Sequence, residues 1–259
     1  MSDSPALTRR RLIRSTEVVD SAGWPSWFVP ARSDFRDVLL SAEGYPCHFG
    51  VNGERAGHNW FTALDVVDGN SAFGPAALAE TLRDYAEIAL TGPARQSLVV
   101  LVGPPRRTPE LAEDTNRFWQ VLTDLTAHDR TPWPAERPVD PADPGWQWCF
   151  GGRPWFVFGA SPAYQSRRSR DVGSCLTLVF QLVERVFEGL SGSSVAGKAA
   201  KGQIRRRLAD YDTAPAHPHL GDPQFSSTFK WRQYFLPDDE RILPEQACPW
   251  RPPTTDDGN

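Results

Sequence analysis

No apolar run in this 259-residue chain approaches the about 20 residues that a bilayer-spanning helix requires. The opening stretch MSDSPALTRRRLIRSTEVV has arginines but no apolar segment behind them, so it does not read as a secretory signal. A cytoplasmic location and no membrane partner are the expectation. A surplus of positive charge is also missing. Twenty-eight Lys and Arg stand against 32 Asp and Glu, for a net charge of −4, which argues against a nucleic-acid partner. Cysteine is scarce. The four residues Cys47, Cys149, Cys175 and Cys248 lie far apart without a CxxC pair, so a structural zinc site is not expected and free thiols are.

The usual catalytic signatures are absent too. There is no GxxxxGK[ST] and no GxGxxG after a strand, which removes the common phosphate cradles. GLSGSSVAGKAAKG has the wrong spacing and reads as the lead-in to a helix. GxSxG and HExxH are missing. Cys47 and His48 are adjacent, so in a strand their side chains point to opposite faces and make a poor catalytic couple.

Tryptophan and proline are abundant, at ten and 24 residues. Large aromatics suit a core or a pocket for a flat ligand. Residues 1–30 and 251–259 read as flexible ends around one domain, 31–250. The spacing predicts a short helix from Ser33 to Gly44 and a strand pair turning at Asn52–Gly53. PAALAETLRDYAEIALTG repeats apolar residues at helical spacing and ends at Gly92, where a left-handed cap is expected. SLVVLVG is a buried strand, and PELAEDTNRFWQVLTDLTAHD is a second amphipathic helix ending at His128. RTPWPAERPVDPADPGW is barred from regular structure by its prolines. Two strands turning at Gly151–Gly152 follow, then the strand CLTLVFQL, the helices VERVFEGL and GKAAKGQIRRRLADYD, and a last strand KWRQYFL. The mixed order predicts an α+β domain around a mostly antiparallel sheet of five or six strands.

Two clusters could carry chemistry. FVFGASPAYQSRRSRD brings Arg167, Arg168 and Arg170 within four positions, and guanidinium groups grip carboxylates and phosphates. Arg205, Arg206 and Arg207 fan out by about 100° each on a helix and cannot converge. YDTAPAHPHLGD holds His217 and His219 on a loop stiffened by Pro215 and Pro218.

The blocks YPCHFG, FWQVL, WQWCFGGRPWFVFGASPAYQSRRSR, IRRRLADYDTAPAHPHLG, WRQYFLPDD and CPW, in that order, closely resemble the YqcI/YcgG family. The resemblance implies a haem-dependent oxygenase that oxidises an amino or guanidino nitrogen of a small amino-acid-like substrate in natural-product biosynthesis. It would use haem b, O2 or peroxide, and an electron donor. Another haem enzyme of peroxidase or dehydratase type, or a non-enzymatic haem carrier or sensor, is the alternative. His217 is the first candidate for the iron ligand, with Cys47 and Tyr164 as alternatives and His58, His48 and His219 behind them. Arg167, Arg168 and Arg170 would clamp the propionates, and Trp231 and Cys47 would border the cofactor. Tyr164 and Arg167 are the catalytic candidates. The family commonly has histidine at the position of Tyr164, and neighbouring arginines would push the tyrosine toward ionisation. Asp238, Asp239 and Arg232 could meet an amino-acid substrate. The oligomeric state is open, a dimer included.

Overall fold

The computed structural model describes residues 11–41, 44–65, 72–186, 188, 195–220 and 228–252. Six strands form one mixed sheet in the order β1-β2-β3-β6-β5-β4. They are β1 (Ile13–Arg14), β2 (Asn59–Asp65), β3 (Ser97–Gly103), β4 (Cys149–Phe150), β5 (Arg153–Ala160) and β6 (Leu176–Leu182). β2 and β3 pair in parallel, and every other pairing is antiparallel. The α+β expectation and its strand number therefore hold. β3 is buried along its whole length because both of its faces are covered, which is why it reads as a continuous apolar run.

Two helices cover one face: α3 (Pro75–Thr91) and α4 (Leu111–Ala127). Leu78, Leu82 and Tyr85 of α3 and Phe118, Leu122 and Leu125 of α4 meet Leu98, Val100 and Val102 of β3 there. The C-terminal segment 228–252 completes that layer with Phe229, Trp231, Tyr234, Phe235 and Trp250. The opposite face packs α1 (Phe28–Leu39) against Phe61, Ala63, Val99 and Leu101, with Tyr45 and Cys47 at its edge. α2 (His48–Arg55), the short α5 (Val183–Val186) and α6 (Val195–Tyr211) finish the described helices. No helix of the described residues is long and apolar enough to cross a membrane.

Several local expectations change. Residues 11–30, expected to lead in without structure, contribute β1 and the buried start of α1 at Phe28. The segment around Asn52–Gly53 is helix α2 and not a hairpin. Tertiary contacts override the turn dipeptide: Glu54, buried at its end, pairs with Arg36 at 2.6 Å and accepts from Asn59 at 2.9 Å. The left-handed residue that ends this stretch is Gly57, at φ +71°. Gly92 closes α3 with φ −87°, so it is not a left-handed cap. A Cβ there would meet the Ile88 carbonyl at 2.9 Å, and close approach explains the glycine. The Gly151–Gly152 turn is as expected, with φ +60° and +70°. KWRQYFL is a 3-10 turn, Lys230–Gln233, and not a strand. The Arg170 guanidinium takes its carbonyls at Gln233 and Tyr234, the latter shared with the Gly159 N–H of β5 at 2.7 Å, in place of a regular ladder.

Candidate functional site

The arginine segment, the histidine loop and the C-terminal segment meet in one polar lattice. Arg167 is 1 % exposed and sends Nε to the Pro237 carbonyl, Nη1 to Pro215 and Nη2 to Asp239, at 2.8–2.9 Å. Arg170 sends Nη1 to the carbonyls of Gly159 and Tyr234 and Nη2 to that of Gln233, at 2.8–3.0 Å. Asp238 accepts the backbone N–H groups of Gln165, Ser166 and Arg167. Arg205 of α6 reaches over to the carbonyls of His217 and Leu220. Guanidinium groups are suited to this because their five donors fan out in a plane. The donors of Arg167 and Arg170 face carbonyls, so the expected propionate clamp does not fit these two residues.

His217 and His219 are both 0 % exposed, with ring centroids 4.8 Å apart. His217 Nδ1 accepts the His219 N–H at 3.1 Å, which places the ring proton on Nε2. A metal-bound imidazole normally does the reverse, ligating through one nitrogen while the other donates. The Arg241 carbonyl favours a proton on the ring but does not meet hydrogen-bond geometry at Nε2. Burial, with help from Arg167, His219 and Arg170, pushes His217 down to about 3, so the ring is neutral. It is a buried brace of the loop, and its geometry does not suit the ligand role expected for it.

Tyr164 is likewise turned inward. Its hydroxyl donates to the Leu236 carbonyl at 2.5 Å. The arginines do lower its pKa, but burial outweighs them and raises it well above the ordinary phenol value. The expectation of ionisation is therefore reversed, and the side chain is a hydrogen-bonded phenol. Trp231 is 1 % exposed and packs edge-on to Trp119 at 6.3 Å. It lies on the face of α3 and α4, whereas Cys47 lies on the face of α1. The sheet between them prevents the two from bordering one ligand.

Cys47 has a different setting. It is half-buried and N-caps α2, its sulfur accepting the Gly50 N–H at 3.4 Å. A helix N-terminus stabilises an anionic sulfur, so the position suits thiolate chemistry. The adjacent Tyr45 donates to the Ser169 carbonyl at 2.7 Å and packs against Tyr211 at 5.9 Å. Arg168, the exposed member of the arginine trio, lies over Tyr211 at 4.9 Å. Asp212 holds the Ser169 N–H and hydroxyl at 2.7 and 2.9 Å. The structure thus divides the arginine trio: Arg168 faces the Cys47 side, and Arg167 and Arg170 face the interior. The signal missed in the sequence was the capping role of Cys47, hidden because α2 was read as a strand.

The remaining candidates are plainer. His48 and His58 are half-buried, on α2 and just before β2. His128 caps α4 with Nδ1 at 2.8 Å from the Asp124 carbonyl, as its helix-end position implied. Cys149, Cys175 and Cys248 are buried free thiols, each pushed up to about 12 by burial. Among the described residues, no three His, Cys, Asp or Glu side chains converge as a metal cage. A cleft of about 620 Å³ beside α4 is lined by Thr115, Ser166, Asp238, Asp239 and Arg241. Its acids are occupied by backbone N–H groups of residues 165–167 and 241.

The sheet order, the wrapped C-terminal segment and the capping cysteine define one class: an α+β domain with a half-exposed thiol at a helix start. Residues 35–251 match the YqcI/YcgG family, and the chain belongs to it. It is 38% identical over 176 residues to the uncharacterized protein YqcI of Bacillus subtilis (strain 168), covering 67% of this chain and 68% of the relative. It is 32% identical over 226 residues to the putative N(omega)-hydroxy-L-arginine synthase DcsA of Streptomyces lavendulae, covering 85% and 83% of the two chains. No solved structure matches the chain.

Proposed function

We propose that this protein is an N-hydroxylating enzyme acting on the guanidino or amino nitrogen of a small amino acid. The observation that carries the reading is the 32% identity to a putative N(omega)-hydroxy-L-arginine synthase over 85% of this chain. In such a reaction an N–H becomes N–OH. One atom of O2 enters the product, and two electrons and two protons carry the other away as water; with peroxide, one oxygen enters and one leaves as water. Amino acid side chains alone do not activate O2, and a haem b would supply that oxidising capacity.

Of the residues proposed to hold haem, Cys47 is the one whose setting suits the role. Its sulfur sits at a helix N-terminus and is half-exposed, and a thiolate is an established haem ligand that favours O–O cleavage. Arg168, exposed and lying over Tyr211 on the same side, is the trio member that would meet a propionate. Tyr45 and Asp212 fix the backbone of Ser169 and so orient Arg168.

The test is to express the full chain with haem precursor and iron, then record its absorption spectrum and its products from L-arginine. The expected result is a Soret band that Cys47→Ala shifts or removes and His217→Gln leaves in place. An oxygen atom from labelled O2 should appear on a guanidino nitrogen. A colourless protein grown with ample haem would end the cofactor assignment. A coloured protein that adds no oxygen to any amine or guanidine would end the activity.

A further inference from the structure

Two chain segments are joined at the Cys47 edge, and one side chain touches both. Asp212, just past the end of α6, accepts the N–H of Ser169 at 2.7 Å and its hydroxyl at 2.9 Å. The Thr213 N–H donates to the Ser166 carbonyl at 2.9 Å and ties the other end of the arginine segment to α6. The residues before Ser169 and Asp212 meet as well, because the Arg168 guanidinium lies over the Tyr211 ring at 4.9 Å. Arginine stacks readily on an aromatic face, and the stack fixes the plane of the group.

Tyr45 contacts each segment once. Its hydroxyl donates to the Ser169 carbonyl at 2.7 Å, and its ring packs edge-on against Tyr211 at 5.9 Å. The side chain is 5 % exposed, so both contacts are shielded from water. Cys47 lies two residues further on, and the residue between them, Pro46, is buried and has a fixed φ. Cys47 and Tyr211 both pack against the apolar cluster that holds Tyr45. The capping position of Cys47 and the stack of Arg168 are thus both set from one phenol.

We propose that Tyr45 is the positioning residue of this edge: it sets the place of the Cys47 sulfur relative to the Arg168 guanidinium. This role rests on the reading above, in which the sulfur holds the haem iron and Arg168 meets a propionate. A porphyrin is rigid, so an iron ligand and a propionate partner must keep one separation. A support behind the two contacting side chains supplies it.

Alkylation of Cys47 by iodoacetamide in the full chain, read by mass spectrometry of its peptide before and after haem is supplied, tests this. Cys149, Cys175 and Cys248 are buried and pushed up to about 12, so they serve as slow internal controls. Without haem, Cys47 in Tyr45→Phe should react at least threefold faster than in wild type, because the anchor is gone while the ring is kept. Tyr164→Phe loses the same kind of bond, phenol to backbone carbonyl, on the opposite face of the sheet and should stay within twofold. A wild-type rate in Tyr45→Phe, or an equal rise in Tyr164→Phe, overturns the positioning role. If Tyr45→Phe does not fold, Asp212→Ala and Asp212→Asn decide. The alanine variant should react at least threefold faster than wild type, and the asparagine variant, which keeps an acceptor for Ser169, should stay within twofold; equal rates in the two overturn the role. Supplied haem should slow Cys47 alkylation at least tenfold in wild type and less than threefold in Tyr45→Phe. Tenfold protection in both overturns the proposal. If haem slows neither, the haem reading fails at Cys47, and the rates without haem still decide the place of Tyr45.

Discussion

The lattice of Arg167, Arg170, His217 and Asp238 and the edge around Cys47 are built from equally reactive residue types, yet they are used differently. In the lattice nearly every donor meets a carbonyl and nearly every carboxylate meets N–H groups. A polar network in that condition fixes the position of three chain segments and has little capacity left for a ligand. At the Cys47 edge a half-exposed sulfur accepts the Gly50 N–H at a helix start, and Arg168 is exposed over the Tyr211 ring. Density of charged residues is thus a poor guide to a site; exposure to solvent is a better one.

The largest expected effect comes from the lattice itself. Arg170→Met removes the guanidinium from the carbonyls of Gly159 and Gln233 and leaves that of Tyr234 with the Gly159 N–H. Urea unfolding should show a loss of at least about 3 kcal/mol. If the variant is as stable as wild type but binds haem poorly, the lattice is a ligand clamp after all and the comparison fails.

Cys47→Ser should give the opposite pattern. Serine is a good N-cap, so unfolding stability should stay within about 0.5 kcal/mol. Haem absorption and product formation should fall sharply. A serine variant that keeps both unchanged would remove the special standing of this edge.

Acid sharpens the contrast next. His217 and His219 are held down to about 3 and about 4 in the folded protein, by burial first, against about 6.5 for the free side chain. The unfolded chain therefore takes up protons that the folded one refuses. Stability is intact above about pH 6.5 and is lost as pH falls toward 4, by up to about 1.4 kcal/mol per pH unit for each histidine. Against wild type, His217→Gln should flatten that slope in a urea series from pH 7 to 4.5. An unchanged slope would show that the histidine is not the buried neutral brace described.

The smallest effect belongs to Tyr164. Tyr164→Phe removes one buried hydrogen bond to Leu236 and keeps the ring packed against Phe235. A loss of about 1–2 kcal/mol in urea unfolding is expected. The haem spectrum should not change, because a neutral phenol committed to a carbonyl is not an iron ligand.

Much of the frame was legible from local patterns. The α3 and α4 stripes, the β3 run and the Gly151–Gly152 turn all followed from periodicity and backbone conformation. The elements misread were those decided by distant partners. α2 depends on Glu54 meeting Arg36 and Asn59, and the 230–233 turn depends on Arg170, some 60 residues earlier in the chain. The site suffered more than the fold. Cys47 was noticed as a thiol, but its place at a helix start could not be seen while its segment was read as a strand. His217 looked presented because prolines stiffen its loop, and stiffness says nothing about which way a ring faces.

The sequence by itself determined the family, the class of fold and most of its helices and strands, because hydrophobic spacing and turn chemistry act between near neighbours. Only the tertiary structure decided which arginines are spent on the backbone, which tautomer each histidine carries and which face of the sheet holds the thiol. Those outcomes depend on the partner each buried polar atom finds across the fold, and residue spacing along the chain does not encode that partner.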